Sequence, residues 1–174
     1  MKNFLLVSSL LFSIAAFAKP EPLPTAKNVD VARYAGKWYT IASLPQFFTR
    51  NCDAQTAEYG VINEKEISIK NTCIKKDKED KNIQGKGTVV DKENHARLEI
   101  KLDSFWAKFF KRKGDYVIIK LSEGYDSVLV GSTDRKSLWI MSRTTTIDPT
   151  LLVEYKKLAN DLKFPVTQLK NAKY

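Results

Sequence analysis

Few residues in this chain could do covalent chemistry, and they are widely spaced. The 174 residues hold one histidine, His95, and two cysteines, Cys52 and Cys73. Nucleophilic catalysis needs a base within hydrogen-bond reach of its nucleophile, and no such pair is evident. A carboxylate mechanism would fall to Glu58, whose neighbour is Tyr59. Adjacent strand residues face opposite sides of a sheet, so Glu58 points outward if Tyr59 points inward. No His, Cys, Asp or Glu cluster has metal-ligand spacing, and neither a metal nor a cofactor is expected. What remains is binding chemistry: tyrosine, tryptophan and amide groups set among aliphatic residues at alternate strand positions.

Those positions must be held by strands. Gly36-Lys37-Trp38-Tyr39 opens the first, over 38–43, with Trp38 and Tyr39 on opposite faces. Further strands are predicted over 54–61, 66–75, 85–91, 96–102, 116–121, 127–131 and 137–143, joined by hairpin-sized turns. The period then changes. Asp148 is a good N-cap with Pro149 behind it, and Leu151, Leu152, Tyr155, Leu158, Ala159 and Leu162 recur at helical spacing. One amphipathic helix over about 148–163 is expected. Eight antiparallel strands either leave two exposed edges or close on themselves. The fold class expected is therefore all-β, an eight-stranded antiparallel up-and-down barrel with one C-terminal helix packed outside. Such a barrel is filled by side chains or holds one small ligand. Its inward set would place Thr40, Tyr59, Asn71 and Tyr116 beside Ile67, Ile69, Leu98, Ile100, Trp139 and Met141, a mostly apolar pocket with a few polar groups.

Before the barrel, Lys2 precedes an apolar run from Phe4 that ends in Ala16-Phe17-Ala18, the parts of a signal peptide over 1–18. An extended, proline-bearing leader over 19–28 and one domain over 29–174 follow. No cysteine lies near Ala18. The expected product is exported, periplasmic or secreted, soluble after cleavage near Ala18, and not a lipid-anchored lipoprotein. Two cysteines in an exported chain suggest a disulfide, although strict hairpin pairing sets Cys73 opposite Gln55, and a bulge or longer bend is needed to bring Cys52 to it. The formal charge of +9 invites nucleic acid, but the basic runs alternate in sign, as in Lys75 to Lys81, which is the pattern of a solvated loop. Nucleic acid is not an expected partner.

Val29-Asp30 and Tyr34 leading into Gly36-Lys37-Trp38-Tyr39, then Ala57-Glu58-Tyr59, Gly124-Tyr125 with Leu129-Val130-Gly131, and Leu138 to Arg143 together resemble the lipocalin family, and within it the bacterial lipocalin and apolipoprotein D branch. The resemblance implies a lipophilic ligand inside the barrel. It also implies a structural signature of Gly36, Trp38, Tyr125 and Arg143, with Arg143 packed across Trp38 at the closed floor, a cation–π contact worth ~0.5–2 kcal/mol. Tyr59, Asn71 and Trp139 match pocket positions of that branch. The chain departs from the branch's threonine-aspartate-tyrosine pattern, since Glu123-Gly124-Tyr125 keeps only the tyrosine with an acid shifted by one.

Alternate joins of an up-and-down barrel lie at the same end. Phe47 and Phe48 in the first join would face Phe105, Trp106, Phe109 and Phe110 in the fifth across an open mouth with a basic rim. The expected ligand contacts are thus Tyr59, Asn71, Trp139, Tyr116, Ile69, Met141, Phe47, Phe48 and Trp106. The expected activity is carriage or storage of a small lipophilic molecule, a fatty acid or lysophospholipid, by a monomer or weak dimer that makes transient contact with anionic membrane surface. Two alternatives stand beside it: a lipid-modifying enzyme on the same scaffold, and an interaction module acting through the basic aromatic mouth.

Overall fold

Alternating side chains make the strands, and hydrogen-bond register turns them into a container. The computed structural model describes residues 21–46, 49, 51–103 and 114–174. A short helix α1 (Val31–Tyr34) leads into β1 (Gly36–Ser43), β2 (Ala54–Asn63), β3 (Glu66–Ile74), β4 (Lys81–Val89), β5 (Arg97–Leu102), β6 (Gly114–Leu121), β7 (Ser127–Gly131) and β8 (Leu138–Ser142). Helix α2 (Pro149–Asp161), a 3-10 turn (Val166–Gln168) and a two-residue strand β9 (Lys170–Asn171) complete the chain. Each consecutive pair from β1 to β8 is antiparallel, and β1 pairs with both β8 and β2, so the eight strands close. The all-β barrel with an external helix is what the alternation implied.

Closure creates two cores. Inside lie Trp38, Tyr59, Ile67, Ile69, Leu98, Tyr116, Ile118, Val128, Val130 and Met141. Outside, α2 lays Tyr155 and Ala159 over Val117, Ile119, Leu129, Leu138 and Ile140, with Leu23 and Phe164 sealing the rim. Each fully buried aliphatic side chain contributes about 1.5–3 kcal/mol. The helix starts where its cap demands, with Asp148 Oδ1 accepting from the Thr150 and Leu151 amides at 2.8 and 3.1 Å.

Some features differ from simple alternation. A bulge at Ile41 shifts the β1–β8 register between Thr40 and Ala42. Thr40 therefore stays opposite inward Met141, while Ala42 turns outward with Ile140 and Ser43 turns inward with Trp139. Strand β4 begins at Lys81, four residues before the predicted start at Gly85, because Lys81 to Gln84 join the β3 ladder despite their polarity. Strand β9, which has no hydrophobic pattern of its own, takes over the edge of β1 at Ala42 and Ser43, just above the point where β2 leaves it.

The disulfide that two cysteines in an exported chain suggested does form, with Cα atoms 5.3 Å apart. Cys73 does sit opposite Gln55. Cys52 reaches it from the turn before β2, where the Asp53 amide donates to the Ile74 carbonyl at 2.9 Å.

Candidate functional site

The closed end is built first by the chain's entry. Asp30 caps α1, its Oδ1 accepting from the Ala32 and Arg33 amides at 2.9 and 3.2 Å. Gly36 then takes a φ of 95°, a conformation that costs a side chain strain. A Cβ there would also come within 3.3 Å of Arg143 Nη1. This geometry drops Trp38 into the floor at 0% exposure, its Nε1 donating to the Tyr34 carbonyl at 2.9 Å. The Arg143 guanidinium lies 3.8 Å from the Trp38 ring centroid. It donates to the carbonyls of Tyr125, Lys37, Arg33, Tyr34 and Ala35 over 2.8–3.1 Å. Tyr125, in a left-handed conformation at φ 59°, accepts from the Asp30 amide through its hydroxyl at 2.9 Å and carries the Arg33 guanidinium 4.1 Å over its ring. The shifted acid in Glu123-Gly124-Tyr125 therefore leaves a hydrogen-bonded floor intact.

Directly above Trp38 sits a feature that the sequence did not suggest. Tyr34 from α1, Tyr59 from β2 and Tyr116 from β6 converge in the barrel base. Tyr34 stacks on Tyr59 with centroids 5.6 Å apart, and Tyr59 meets Tyr116 edge-on at 6.1 Å. The Tyr116 hydroxyl stands 2.5 Å from that of Tyr34 and 3.0 Å from that of Tyr59. Burial raises all three pKa values, that of Tyr59 to about 12. The three hydroxyls are neutral at physiological pH. Tyr34 precedes the first strand, so strand periodicity could not enrol it. Its one sequence signal is the motif spacing to Gly36 and Trp38.

Ile69 and Met141 line the same interior, buried at 4% and 2% exposure. Asn71 and Trp139 share the inward face, Asn71 opposite Ala57 and Trp139 opposite Val130. Both are half-buried, and among the described residues neither the Asn71 carboxamide nor the Trp139 indole N–H has a hydrogen-bond partner. Gln55 and Ser43 make a further polar pair across the split between β1 and β2, at 3.4 Å. Phe47, Phe48 and Trp106, together with Phe105, Phe109 and Phe110, lie outside the described residues.

The groups considered for catalysis are apart. Glu58 is exposed on the outer face between Lys37 and Lys70. His95 lies in the turn between β4 and β5 with a φ of 53°. The cysteines are bonded to each other. Among the described residues no His, Cys, Asp and Glu group could hold a metal ion.

A family described as a lipocalin-like domain matches residues 29–174. The chain is 30% identical over 168 residues to a protein of Vibrio cholerae serotype O1 named outer membrane lipoprotein Blc, covering 95% of this chain and 94% of that one. It is 25% identical over 155 residues to apolipoprotein D of Bos taurus, covering 86% and 79%. The solved structure of insecticyanin from the tobacco hornworm superposes with a TM-score of 0.66 over 89% of this chain and 85% of that one, at 14% identity, which speaks for the fold alone. One expectation is corrected. Relatives in three bacterial species carry the name outer membrane lipoprotein, against an unanchored, soluble product. The missing cysteine near Ala18 is too narrow a ground to stand against them.

Proposed function

Because the chain belongs to the lipocalin family, whose members bind small hydrophobic ligands and are generally not enzymes, we propose that it carries or stores a single-chain amphiphile, a fatty acid or lysophospholipid, inside the barrel. The observation that carries this is the pairing of a buried aliphatic interior with two inward polar groups, Asn71 and Trp139, that no described residue satisfies. Burial supplies the affinity, about 25 cal/mol per Å² of apolar surface. The polar groups supply the choice of ligand, since leaving them unpaired beneath a bound chain costs about 1–3 kcal/mol each.

In this scheme Ile69, Met141, Tyr59 and Tyr116 shape the acyl channel, and Asn71 and Trp139 meet the more polar part of the ligand. Phe47, Phe48 and Trp106 are proposed as mouth contacts on sequence alone. The ligand leaves as it entered. Tryptophan fluorescence titration with hexadecanoic acid and with lysophosphatidylcholine should give saturable binding to the wild type. Asn71→Leu should weaken lysophosphatidylcholine about 10-fold with little change in melting temperature. Mass spectrometry of the recovered lipid should find it unchanged. Absence of binding to both lipids, or a hydrolysed or covalently attached product, overturns the proposal.

A further inference from the structure

The tyrosine trio at the barrel base has a hydrogen-bond count that does not close on itself. Three hydroxyls carry one proton each. The two contacts, Tyr34 to Tyr116 and Tyr116 to Tyr59, use two of those protons whichever way each bond points. One O–H is left over in every arrangement, and no other described residue accepts it. Tyr59 and Tyr116 stand on the inner face of a closed ring and keep 6% and 8% exposure. An interior donor with nothing to bond to costs free energy on the scale of a lost hydrogen bond.

The surroundings restrict what could take that proton. Among the described residues no charged side chain is buried. The two guanidiniums described at the floor are both engaged: Arg143 lies against Trp38 and donates to five backbone carbonyls, and Arg33 lies over the Tyr125 ring and donates to the Glu123 carbonyl at 3.2 Å. A carboxylate or phosphate driven down to the trio would be desolvated without a free counter-charge, which is strongly unfavourable. A neutral oxygen would lose little, because it exchanges water for a tyrosine O–H. A plain methyl end would leave the donor unsatisfied.

Resting on the lipid-carrier reading above, we propose that the Tyr34–Tyr59–Tyr116 trio is a recognition site for a neutral oxygen, a hydroxyl or carbonyl, at the inner end of the bound chain. The preferred ligand class is then an oxygenated lipophile that is polar at both ends. Its outer end lies towards Asn71 and Trp139, and its inner oxygen accepts from the trio. The trio makes the base of the barrel selective, where an all-aliphatic base would rank ligands by chain length alone.

The test compares dodecanoic, tetradecanoic and hexadecanoic acids with their ω-hydroxy counterparts in fluorescence or calorimetric titrations of the full chain. For at least one length that reaches the base, the ω-hydroxy acid should bind as tightly as the plain acid or more tightly. In Tyr34→Phe/Tyr59→Phe/Tyr116→Phe, which leaves no hydroxyl at the base, the same ω-hydroxy acid should fall about 10-fold behind its plain counterpart, the effect of burying a hydroxyl without a partner. The inference is overturned if the plain acid wins about 10-fold at every length in the wild type, or if the triple variant leaves the ratio unchanged. Should the triple variant lose its melting transition, the wild-type series decides alone. If no acid of either kind binds, the carrier reading falls and takes this inference with it. If plain acids bind and ω-hydroxy acids do not, only the trio's role falls.

Discussion

The two ends of the barrel use polar groups in opposite ways. At the closed end each has a backbone partner: Arg143 donates to five carbonyls, Trp38 donates to one, Tyr125 accepts from the Asp30 amide, and Asp30 caps α1. Further up the lumen Asn71 and Trp139 keep hydrogen-bonding capacity unspent. Saturated polar groups in a low-dielectric setting rigidify, whereas unsatisfied ones cost energy until something binds them. The contrast separates the residues that hold the container shut from those that choose its contents. The tyrosine trio stands at the boundary and shares both characters, two bonds made and one donor in hand.

Substitutions at the closed end should break this contrast most severely. Trp38→Ala removes a fully buried indole and the face on which Arg143 rests, and should cost about 4 kcal/mol in chemical denaturation. Arg143→Ala should cost about 3 kcal/mol by leaving several carbonyls without their donor, and Arg143→Lys should recover little, because an ammonium cannot span the same fan of acceptors. Either variant losing less than 1 kcal/mol would show that the floor does not hold the barrel shut.

The disulfide sharpens the comparison from the opposite end. Replacing Cys52 and Cys73 by alanine frees a loop with a sequence separation of 21 residues and should lower stability by about 3 kcal/mol. Hydrogen exchange should then show protection lost around the first join, while β1 beside the floor stays protected. Uniform loss would mean that the two ends unfold as one unit.

Alkaline pH probes the boundary. A tyrosine whose pKa is raised on folding keeps its stabilising contribution below its unfolded value near 10 and loses it as pH climbs through the folded value. Tyr59, raised to about 12 by burial, should thus contribute about 2–3 kcal/mol at neutral pH that fades between roughly pH 10 and 12. Tyr34 and Tyr116 shift in the same direction. Tyr59→Phe should flatten the fall in melting temperature across that window. An equally steep fall in the variant would assign the alkaline loss to groups outside the trio. The smallest effect on stability belongs to Asn71→Leu, whose consequence should appear in ligand choice and hardly at all in melting temperature.

Much of this architecture was legible in the chain because its signals are local. A strand's alternation puts Ile67, Ile69 and Asn71 on one face whatever lies across from them, and the predicted inward set agrees with the pairing register throughout. Asp148 and Pro149 start a helix through geometry confined to a single turn. Strand β9 and helix α1 escaped because two and four residues carry too little pattern to be told from loop. The Ile41 bulge escaped for a related reason, since no residue type at that point signals a break in the ladder.

The amino-acid sequence by itself thus determined the eight barrel strands and helix α2, the strands' inward faces and the identities of Asn71 and Trp139 as inward polar groups, because backbone geometry and periodicity act over a few residues. Only the tertiary structure decided which hydroxyls meet. Tyr116 lies 82 residues from Tyr34 and 57 from Tyr59, and their contact depends on how far the strands stagger when the ring closes, and on a short helix that reaches up from below. Closure is a property of all eight ladders together, so the tyrosine trio and its spare proton became visible only when the barrel was complete.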